Sequence, residues 1–232
     1  MLRVDRVVSG YNRVRVLNGV DVCVQAGERV VVLGRNGMGK TTLAKTIVGL
    51  LPTGSGSVYL DGANITSLPA YRRTWAGIGY VPQGRGLFPR LTVEENLRIG
   101  LHGSRPKSKT ISDDIYDYFP VLRQRRNQAA GTLSGGEQQQ LAIGRALVGR
   151  PSVLILDEPS EGIQPNLVTA ITDRLKSLAT DHRMAVLLIE QNLDAARRFA
   201  QRCLFIEKGT VVHTCDAPEL ANTALVSRFL GV

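Results

Sequence analysis

Short apolar runs alternate with stretches of helical periodicity along this chain. Residues 30–33, 153–156 and 185–189 are entirely apolar, and each run is followed by glycine or polar residues. Runs of this length with no polar face predict strands of a parallel sheet that is buried on both sides. Apolar residues at helical spacing follow Lys40 and Glu137. The alternation predicts an α/β fold with a mostly parallel core sheet.

Other patterns add antiparallel strands and a helical segment. The sequence SVYLDG at 57–62 predicts a short strand, and the residues around Lys208 and Gly209 predict a hairpin. Residues 88–150 contain no comparable strand run, and Thr92 is placed to cap a helix near their start. We therefore expect one domain over residues 1–232. It would consist of a core of about residues 1–87 and 151–232, an antiparallel β subdomain, and a helical lobe inserted at about 88–150.

The formal charge of +9 admits acidic partners such as nucleic acid, anionic lipid or nucleotide phosphate, without choosing among them. The densest basic stretches are Arg72 with Arg73, residues 103–110 and residues 123–128. None of them interleaves aromatic residues in the way that stacking on bases requires. The favoured interpretation of each stretch is solvated surface.

Membrane spans, export and structural zinc are not expected. No uninterrupted apolar stretch reaches the roughly 18 residues needed to span a bilayer, and the N-terminal residues lack the apolar segment of a signal peptide. Cys23, Cys203 and Cys215 are far apart in sequence, and the three histidines show no ligand spacing. We therefore expect a soluble, unexported protein with reduced thiols.

A glycine-rich sequence follows the first apolar run. GRNGMGKTT at 34–42 fits the phosphate-loop pattern G-x-x-x-x-G-K-[ST], between a predicted strand and a predicted helix. Backbone amides and the helix N-terminus would bind phosphate oxygens, Lys40 would reach the β- and γ-phosphates, and Thr41 would offer a hydroxyl to Mg²⁺. A glycine-rich turn that only packs a helix on a sheet does not explain Lys40 and Thr41. The expected nucleotide-binding residues are Gly34, Arg35, Asn36, Gly37, Met38, Gly39, Lys40, Thr41 and Thr42.

Two adjacent carboxylates end the second apolar run. In VLILDEP at 153–159, a predicted strand delivers Asp157 and Glu158 to the sheet edge where ligands of parallel sheets bind. Because side chains alternate along a strand, the two groups can have different roles. We expect Asp157 to hold Mg²⁺ and Glu158 to activate a water near the γ-phosphate. The alternative is a strand that simply ends in solvated acids.

The sequence TLSGGEQQQLAIGRAL at 132–147 distinguishes among nucleotide-binding families. Its residues 133–137, called the signature below, precede VLILDEP and resemble the signature of ABC ATPases. The resemblance covers essentially the whole chain. It places Tyr11 where an aromatic residue stacks on adenine, Gln83 of YVPQGR where a glutamine links two lobes, and residues 160–165 at the family's D-loop. A tyrosine that only packs beside a turn is the alternative for Tyr11.

The resemblance implies an ATPase that works with Mg²⁺ as a head-to-tail dimer. Each ATP would lie between the phosphate loop of one subunit and the signature of the other. The signature residues that would bind it are Ser134, Gly135, Gly136 and Glu137. Gln83 would sense the γ-phosphate and Mg²⁺, and would pass the change to the helical lobe and its membrane partner.

Two departures from the usual family pattern narrow the group. Gln191 in VLLIEQN stands where a histidine is common, and Gln164 precedes Pro165 where an aspartate is common. Both features resemble ATPases of branched-chain amino-acid importers. GRNGMGKTT, YVPQGR, FPRLTVEENL and EPSEGIQP are most similar to motors of urea and short-chain amide importers. Glutamine can donate and accept hydrogen bonds but cannot carry a proton, so we expect Glu158 alone to act as general base. Glu190 and Asn192 receive no role.

The resemblance implies the motor subunit of an importer of urea, short-chain amides or branched-chain amino acids, peripheral on the cytoplasmic face of the cell membrane. It would need membrane-spanning permease subunits and a second ATPase subunit, identical or related, and would serve a solute-binding protein indirectly. One alternative is an ABC ATPase that acts on nucleic acid or in translation. Such relatives usually carry paired cassettes, coiled coils or zinc modules, so no nucleic-acid partner is expected. A nucleotide-gated scaffold without turnover is disfavoured because Lys40, Thr41, Asp157 and Glu158 are all present.

Overall fold

The computed structural model describes residues 1–12, 14–103 and 110–231. Most of these residues belong to two β-sheets and the helices packed on them. The strands are β1 (Leu2–Tyr11), β2 (Val14–Val24), β3 (Arg29–Leu33), β4 (Thr53–Leu60), β5 (Ala63–Asn64), β6 (Ile78–Val81), β7 (Val153–Asp157), β8 (Ala185–Glu190), β9 (Arg202–Glu207) and β10 (Thr210–Asp216). The α-helices are α1 (Lys40–Ile47), α2 (Ala70–Ala76), α3 (Val93–Gly100), α4 (Asp113–Tyr118), α5 (Pro120–Gln124), α6 (Gly135–Leu147), α7 (Pro165–Asp181), α8 (Leu193–Phe199) and α9 (Thr223–Leu230).

The larger sheet is mostly parallel, as the apolar runs predict. Its strand order is β10-β9-β3-β8-β7-β6, and only β10 runs antiparallel to its neighbour. The three predicted strands form its centre as β3, β7 and β8. The hairpin predicted at Lys208 and Gly209 is confirmed as the turn between β9 and β10. The fold class expected from the sequence is therefore confirmed.

Both faces of this sheet are covered, which explains why its strands have no polar face. Along β3, Val30 and Val32 pack with α1 and the smaller sheet, whereas Val31 and Leu33 pack with helices on the opposite side. All four side chains are fully buried. Each such burial stabilises the fold by about 1.5 to 3 kcal/mol. The central strands therefore hold the loops at their carboxyl ends on a rigid base.

The smaller sheet is antiparallel, with the order β2-β1-β4-β5. Of the strand predicted at 57–62, residues 57–60 belong to β4, and residues 61 and 62 form the turn that follows it. Strands β1 and β2 were not predicted, because register shifts interrupt their pairing and their buried and exposed residues alternate imperfectly. This sheet packs on the same face of the core as α1.

Helices α3 to α6 lie between β6 and β7 along the chain. The predicted cap of α3 is confirmed: Thr92 Oγ1 accepts from the Glu95 amide at 3.2 Å, and the Glu95 carboxylate accepts from the Thr92 amide at 2.7 Å. Helix α6 begins with the same arrangement between Ser134 and Glu137. Within the described ranges, no helix is both long and apolar enough to cross a membrane.

One basic stretch is not solvated surface. Arg72 is exposed as expected, but Arg73 is only 2% exposed. Its guanidinium donates to the carbonyl oxygens of Thr46 and Ile47, both at 2.8 Å, and also reaches two carbonyls in the segment before α2. The chain folds back so that Arg73 closes the carboxyl end of α1. The prediction of solvated surface is therefore wrong for Arg73.

The structure describes the other two basic stretches to different extents. Residues 123–127 are exposed, as predicted. Residues 104–109, most of the stretch at 103–110, lie outside the described residues.

All three cysteines are free thiols. Although far apart in sequence, Cys203 and Cys215 lie opposite each other on β9 and β10, where burial raises their thiol pKa values to about 12 and about 11.

Candidate functional site

The predicted phosphate loop joins β3 to α1, as its pattern requires. Gly39 has φ 102°, a left-handed conformation that favours glycine, and Lys40 begins the helix immediately after it. A Cβ atom on Gly34 would lie 2.6 Å from the Ile206 carbonyl oxygen of β9, so only glycine fits where the loop leaves the sheet. The N-terminus of α1 is therefore held at the carboxyl edge of the parallel strands.

Lys40 is the buried cation of this loop, with 4% of its surface exposed. Its Nζ donates to the carbonyl oxygens of Gly34 at 2.9 Å and Arg35 at 3.1 Å, and lies 3.2 Å from Glu158 Oε1. Glu158 is also buried, with 8% of its surface exposed. Buried charges need a partner, so Lys40 and Glu158 compensate each other here. An anion that enters the loop would therefore compete with Glu158 for the lysine.

Asp157 ends β7 beside α1 and β6. Thr41 Oγ1 donates to Asp157 Oδ1 at 3.1 Å, and the Tyr80 hydroxyl donates to Oδ2 at 3.4 Å. Burial raises the pKa of Asp157 to about 6, against the lowering effect of these two hydrogen bonds. The same burial, together with the nearby Asp157 charge, raises the pKa of Tyr80. The contact from Tyr80 was not predicted, because β6 contains Gly79 and is too short to be recognised as a strand.

Gln83 lies in the loop after β6, residues 82–86, called the glutamine loop below. Its Nε2 donates to Glu158 Oε2 at 3.3 Å and to Glu161 Oε2 at 3.0 Å. The structure therefore brings Gln83 to Glu158, and it adds Glu161, which was not predicted as a site residue. The sequence signal for Glu161 is its position in the D-loop, three residues after Glu158.

Glu190 has a clear structural role that the sequence did not reveal. It ends β8 with 1% of its surface exposed, and its carboxylate accepts from the backbone amides of Ser160 at 3.0 Å, Gln191 at 3.1 Å and Asn192 at 3.2 Å. Burial raises its pKa in spite of these bonds. Asn192 caps α8 through the Ala195 amide. Glu190 thus fixes the D-loop and the Gln191 backbone to one point.

Most of the predicted site residues meet in one cleft of about 460 Å³. Its lining residues are Tyr11, Val16, Asn36, Gly37, Gly39, Lys40, Thr41, Thr42, Gln83, Glu158, Glu161 and Gln191. Tyr11 is 40% exposed at the rim, with Lys45 Nζ 6.0 Å from its ring centroid. The aromatic ring is therefore available for a planar group.

Three residues of the predicted phosphate loop make contacts outside the cleft lining. The carbonyl oxygens of Gly34 and Arg35 accept from Lys40. Met38 holds the β9–β10 turn: its carbonyl accepts from the Gly209 amide at 3.0 Å, and its sulfur accepts from the Lys208 amide at 3.4 Å. These residues support the shape of the loop.

The signature lies elsewhere on the chain. Among the described residues that line the cleft, none belongs to the signature. Ser134 is the N-cap of α6: the Glu137 carboxylate accepts from its amide at 2.8 Å and from its hydroxyl at 2.9 Å. A Cβ atom on Gly136 would lie 2.4 Å from Leu167 of α7, so the helix start packs closely on its neighbour. The chain thus has two separate helix N-termini at predicted binding residues, that of α1 in the cleft and that of α6 outside it.

Comparison with known proteins gives consistent matches. The family model described as "ABC transporter" matches residues 17–161. The high-affinity branched-chain amino acid transport ATP-binding protein BraG of Pseudomonas aeruginosa is 40% identical, covering 100% of both chains. A probable branched-chain amino acid transport ATP-binding protein, LivF of Archaeoglobus fulgidus, is 41% identical, covering 95% of this chain and 94% of its own.

A solved structure gives the same result at the level of the fold. It is the dimer of an ATP-binding cassette in a post-hydrolysis state, bound to ADP and phosphate. It superposes with a TM-score of 0.83 at 25% identity, covering 94% of this chain and 99% of that chain. The sequence matches and the structural match therefore agree, since all of them are ATP-binding proteins or cassettes.

Proposed function

The chain belongs to the ABC transporter family of ATP-binding proteins, and from this premise we propose that it is the ATP-hydrolysing motor of an importer. The cleft carries this proposal, because it brings the phosphate loop, Glu158, Gln83 and Gln191 to one carboxyl edge of a parallel sheet. Ligands of open parallel sheets bind at this edge. The relatives reported above are named as ATP-binding proteins of branched-chain amino acid transport, which favours transport over an action on nucleic acid.

ATP would lie with its phosphates on the loop amides and its adenine on Tyr11. Lys40 would exchange its contact with Glu158 for the β- and γ-phosphate oxygens. This exchange frees the carboxylate of Glu158 when a nucleotide arrives. Glu158 would then accept a proton from the attacking water, while Gln83 and Gln191 hold that water and the γ-phosphate by hydrogen bonds.

Mg²⁺ fits the oxygen donors beside the loop. The hydroxyl of Thr41 and the carboxylate of Asp157 are hard ligands and already lie 3.1 Å apart. The side-chain carbonyl of Gln83 is the third proposed protein ligand. The ion would neutralise phosphate charge, and Asp157 must be ionised to hold it.

Turnover would need two subunits, because the signature lies away from the cleft of its own chain. In a head-to-tail dimer, Ser134, Gly135, Gly136 and Glu137 would offer a helix N-terminus to the ATP on the opposite subunit. The second subunit would be a copy of this chain or a related ATPase. Nucleotide then forms part of the interface, so that binding closes the dimer and hydrolysis opens it.

The transported solute would be small, polar and organic. Branched-chain amino acids are the class that the relatives' names suggest, and urea or short-chain amides stay a prediction from loop residues. We place the motor on the cytoplasmic face of the membrane, bound to permease subunits that receive solute from a binding protein. With the division into a core of about 1–87 and 151–232 and a helical lobe of about 88–150, we assign hydrolysis to the core and the permease contact to the boundary between lobe and core.

The permease contact would lie on an apolar groove of about 380 Å³ where the lobe meets the core. Tyr71 and Trp75 of α2 form one wall, edge to face with centroids 5.0 Å apart, and Tyr71 is 53% exposed. Arg145, which lines the groove, also holds the glutamine loop. An occupant would therefore touch Arg145, which is hydrogen-bonded to the glutamine loop. Cross-linking from Tyr71→Cys in membranes that contain the permease would test this placement.

The direct test is ATP turnover by the purified chain in the presence and absence of Mg²⁺. We expect turnover to require Mg²⁺ and to rise more steeply than linearly with protein concentration. Glu158→Gln should lower turnover about 100- to 10,000-fold, because it removes the general base. The same variant should still form a dimer with ATP, measured by sedimentation.

The control is Glu207→Gln, an exposed carboxylate at the end of β9, which should leave turnover at the wild-type level. Turnover that is linear in protein concentration would contradict the shared site. Wild-type turnover in Glu158→Gln would contradict the role of Glu158.

A further inference from the structure

Helix α6 holds the backbone of the glutamine loop. Arg145, in the second half of α6, donates to the carbonyl oxygen of Gly86 at 2.8 Å and to that of Arg85 at 3.1 Å. The loop turns sharply at this point, since Gly84, Arg85 and Gly86 have φ values of 73°, 70° and 58°. A non-glycine residue with positive φ is uncommon and persists only where its surroundings hold it. The loop and α6 are thus fastened together.

The side chain of Arg85 makes a second connection, to the beginning of the same helix. Its Nη1 donates to Gln138 Oε1 at 2.9 Å, and Gln138 Nε2 in turn donates to the Leu133 carbonyl oxygen at 3.1 Å. The guanidinium also lies beside the signature. A Cβ atom added to Gly135 would lie 3.2 Å from Arg85 Nη2, and equally 3.2 Å from the Gly162 carbonyl oxygen of the D-loop. One side chain therefore touches the turn that carries the signature.

The other end of the same loop lies in the cleft. Gln83, two residues before Arg85, donates to Glu158 and Glu161. An unbroken series of contacts thus runs from Glu158, the proposed general base, through the three loop residues 83–85 to Gln138 in the first turn of α6. Its two ends serve different nucleotides in the proposed dimer, because the cleft binds the chain's own ATP and the signature faces the partner's.

We propose that Arg85, hydrogen-bonded to Gln138 beside the signature, is a positioning residue that couples the two ATP sites of the dimer. The inference rests on the proposed function, since it needs a nucleotide in each shared site. When a γ-phosphate in the cleft takes over the hydrogen bonds of Gln83, the loop would move, and Arg85 would move the signature turn with it. Because coupling between two binding sites is reciprocal, ATP at the opposite site favours the same loop position.

Arg85→Gln tests the coupling in the full-length chain. It removes the guanidinium fork and leaves the cleft residues in place, so we expect binding of an ATP analogue to dilute, monomeric chain to stay within about 2-fold of wild type. Turnover at dimer-forming concentrations should fall about 5- to 150-fold, the range of typical coupling factors. The Hill coefficient for ATP should fall toward 1.

Two further substitutions separate geometry from charge. Arg85→Lys keeps the charge but loses the planar fork, and should resemble Arg85→Gln if the bond to Gln138 matters. As a single substitution, Gln138→Ala should also lower the Hill coefficient. In a double-mutant cycle, it should add little to the effect of Arg85→Gln. Full activity of Arg85→Lys, or fully additive effects of the two changes, would overturn the positioning role.

The matched control is Arg90→Gln, an exposed arginine in the segment that follows the loop, which should retain the Hill coefficient of wild type. If Arg85→Gln equals this control in both turnover and Hill coefficient, the coupling inference is wrong while the ATPase function stands. If the wild-type chain shows no Mg²⁺-dependent ATP turnover, the proposed function fails and the coupling inference fails with it.

Discussion

The ionisation of Asp157 should make the nucleotide-free protein less stable as pH rises. Its folded pKa, about 6, lies above the ordinary 3.8, so the folded state binds a proton more tightly than the unfolded state does. The contribution to stability is therefore present below pH 3.8 and is lost as pH rises through about 6. The loss amounts to about 3 kcal/mol.

Urea denaturation of the metal-free chain over this pH range measures the effect. Asp157→Asn cannot ionise and should remove this part of the slope, which makes the variant the more stable protein at neutral pH. The same variant should bind Mg²⁺ and ATP more weakly, because a proposed metal ligand is lost. Equal slopes for wild type and variant would show that Asp157 titrates normally.

Glu190 should matter for both stability and turnover, although it does not face the cleft. Glu190→Gln would turn a side-chain amide toward backbone N–H groups that now meet a carboxylate. We expect a loss of about 2 kcal/mol in the free energy of unfolding, the scale of hydrogen bonds to charged groups. Turnover at saturating ATP should fall about 10-fold or more, because Gln191 and the D-loop lose their common anchor. Unchanged turnover in a folded variant would limit Glu190 to a structural role.

Motifs and residue type were sufficient to propose Lys40, Thr41, Asp157 and Glu158 from the sequence. Their partners were not accessible in the same way. Gln83 and Glu158, for example, are separated by 75 residues and meet only because β6 and β7 are neighbours. Periodicity does not give the strand order, so it cannot give these contacts. The role of Glu190 was missed for a different reason. An apolar strand that ends in a carboxylate does not reveal which backbone amides the carboxylate will bind.

At the scale of secondary structure, helices α3 and α6 begin with the same kind of capping box, which provides a matched pair of substitutions. Thr92→Ala and Ser134→Ala should each lower the free energy of unfolding by about 1 kcal/mol, because each removes an N-cap. Only Ser134→Ala should also lower ATP turnover, about 10-fold or more, since Ser134 is proposed to meet the partner's ATP. Denaturation and turnover assays on both variants measure the difference. Equal turnover in the two variants would restrict Ser134 to capping.

The segment that precedes α2 depends on Arg73. Arg73→Met should lower the free energy of unfolding by about 3 kcal/mol or more, because the carbonyls that it binds would be left buried without donors. Arg72→Met, at the exposed neighbour, should change stability by no more than about 0.5 kcal/mol. Chemical denaturation of both variants measures the contrast. A small effect at Arg73 would mean that water replaces the guanidinium.

The spacing of apolar residues predicted the central strands because they are buried on both faces along their whole length, so that their sequences are continuously apolar. The basic pair Arg72 and Arg73 differs, because tertiary contacts alone decide its environment. Arg72 and Arg73 are chemically identical, and only the return of the chain over the end of α1 buries one of them. Likewise, the register shifts in β1 weaken the alternation that identifies a strand.

At the scale of the whole molecule, a head-to-tail dimer predicts complementation between two inactive variants. Glu158→Gln disables the cleft of its own chain, and Ser134→Ala disables the signature offered to its partner. In a mixed dimer both defects fall in one ATP site, and the other site is intact. An equal mixture should therefore recover up to about a quarter of wild-type turnover, because half of the dimers are mixed and each has one working site.

Each variant alone, at the same total concentration, is the control for this mixture and should be nearly inactive. No recovery in the mixture would argue against a site that is shared between subunits. The single chain already suggested this arrangement, since the signature and the cleft lie apart on its surface.

The position of β3 in the sheet determines when the nucleotide cleft can form during synthesis of the chain. The strand that leads into the phosphate loop pairs with β8 and β9, which are synthesised last among the strands of the parallel core, and Met38 rests on the turn that follows β9. A growing chain therefore exposes the phosphate loop long before it has the strands that hold it, and such long-range pairing slows folding. Chains that are stalled or truncated before that turn would lack a formed nucleotide cleft. Nucleotide binding would thus depend on nearly complete synthesis, so incomplete motors could not compete for a permease by closing on ATP.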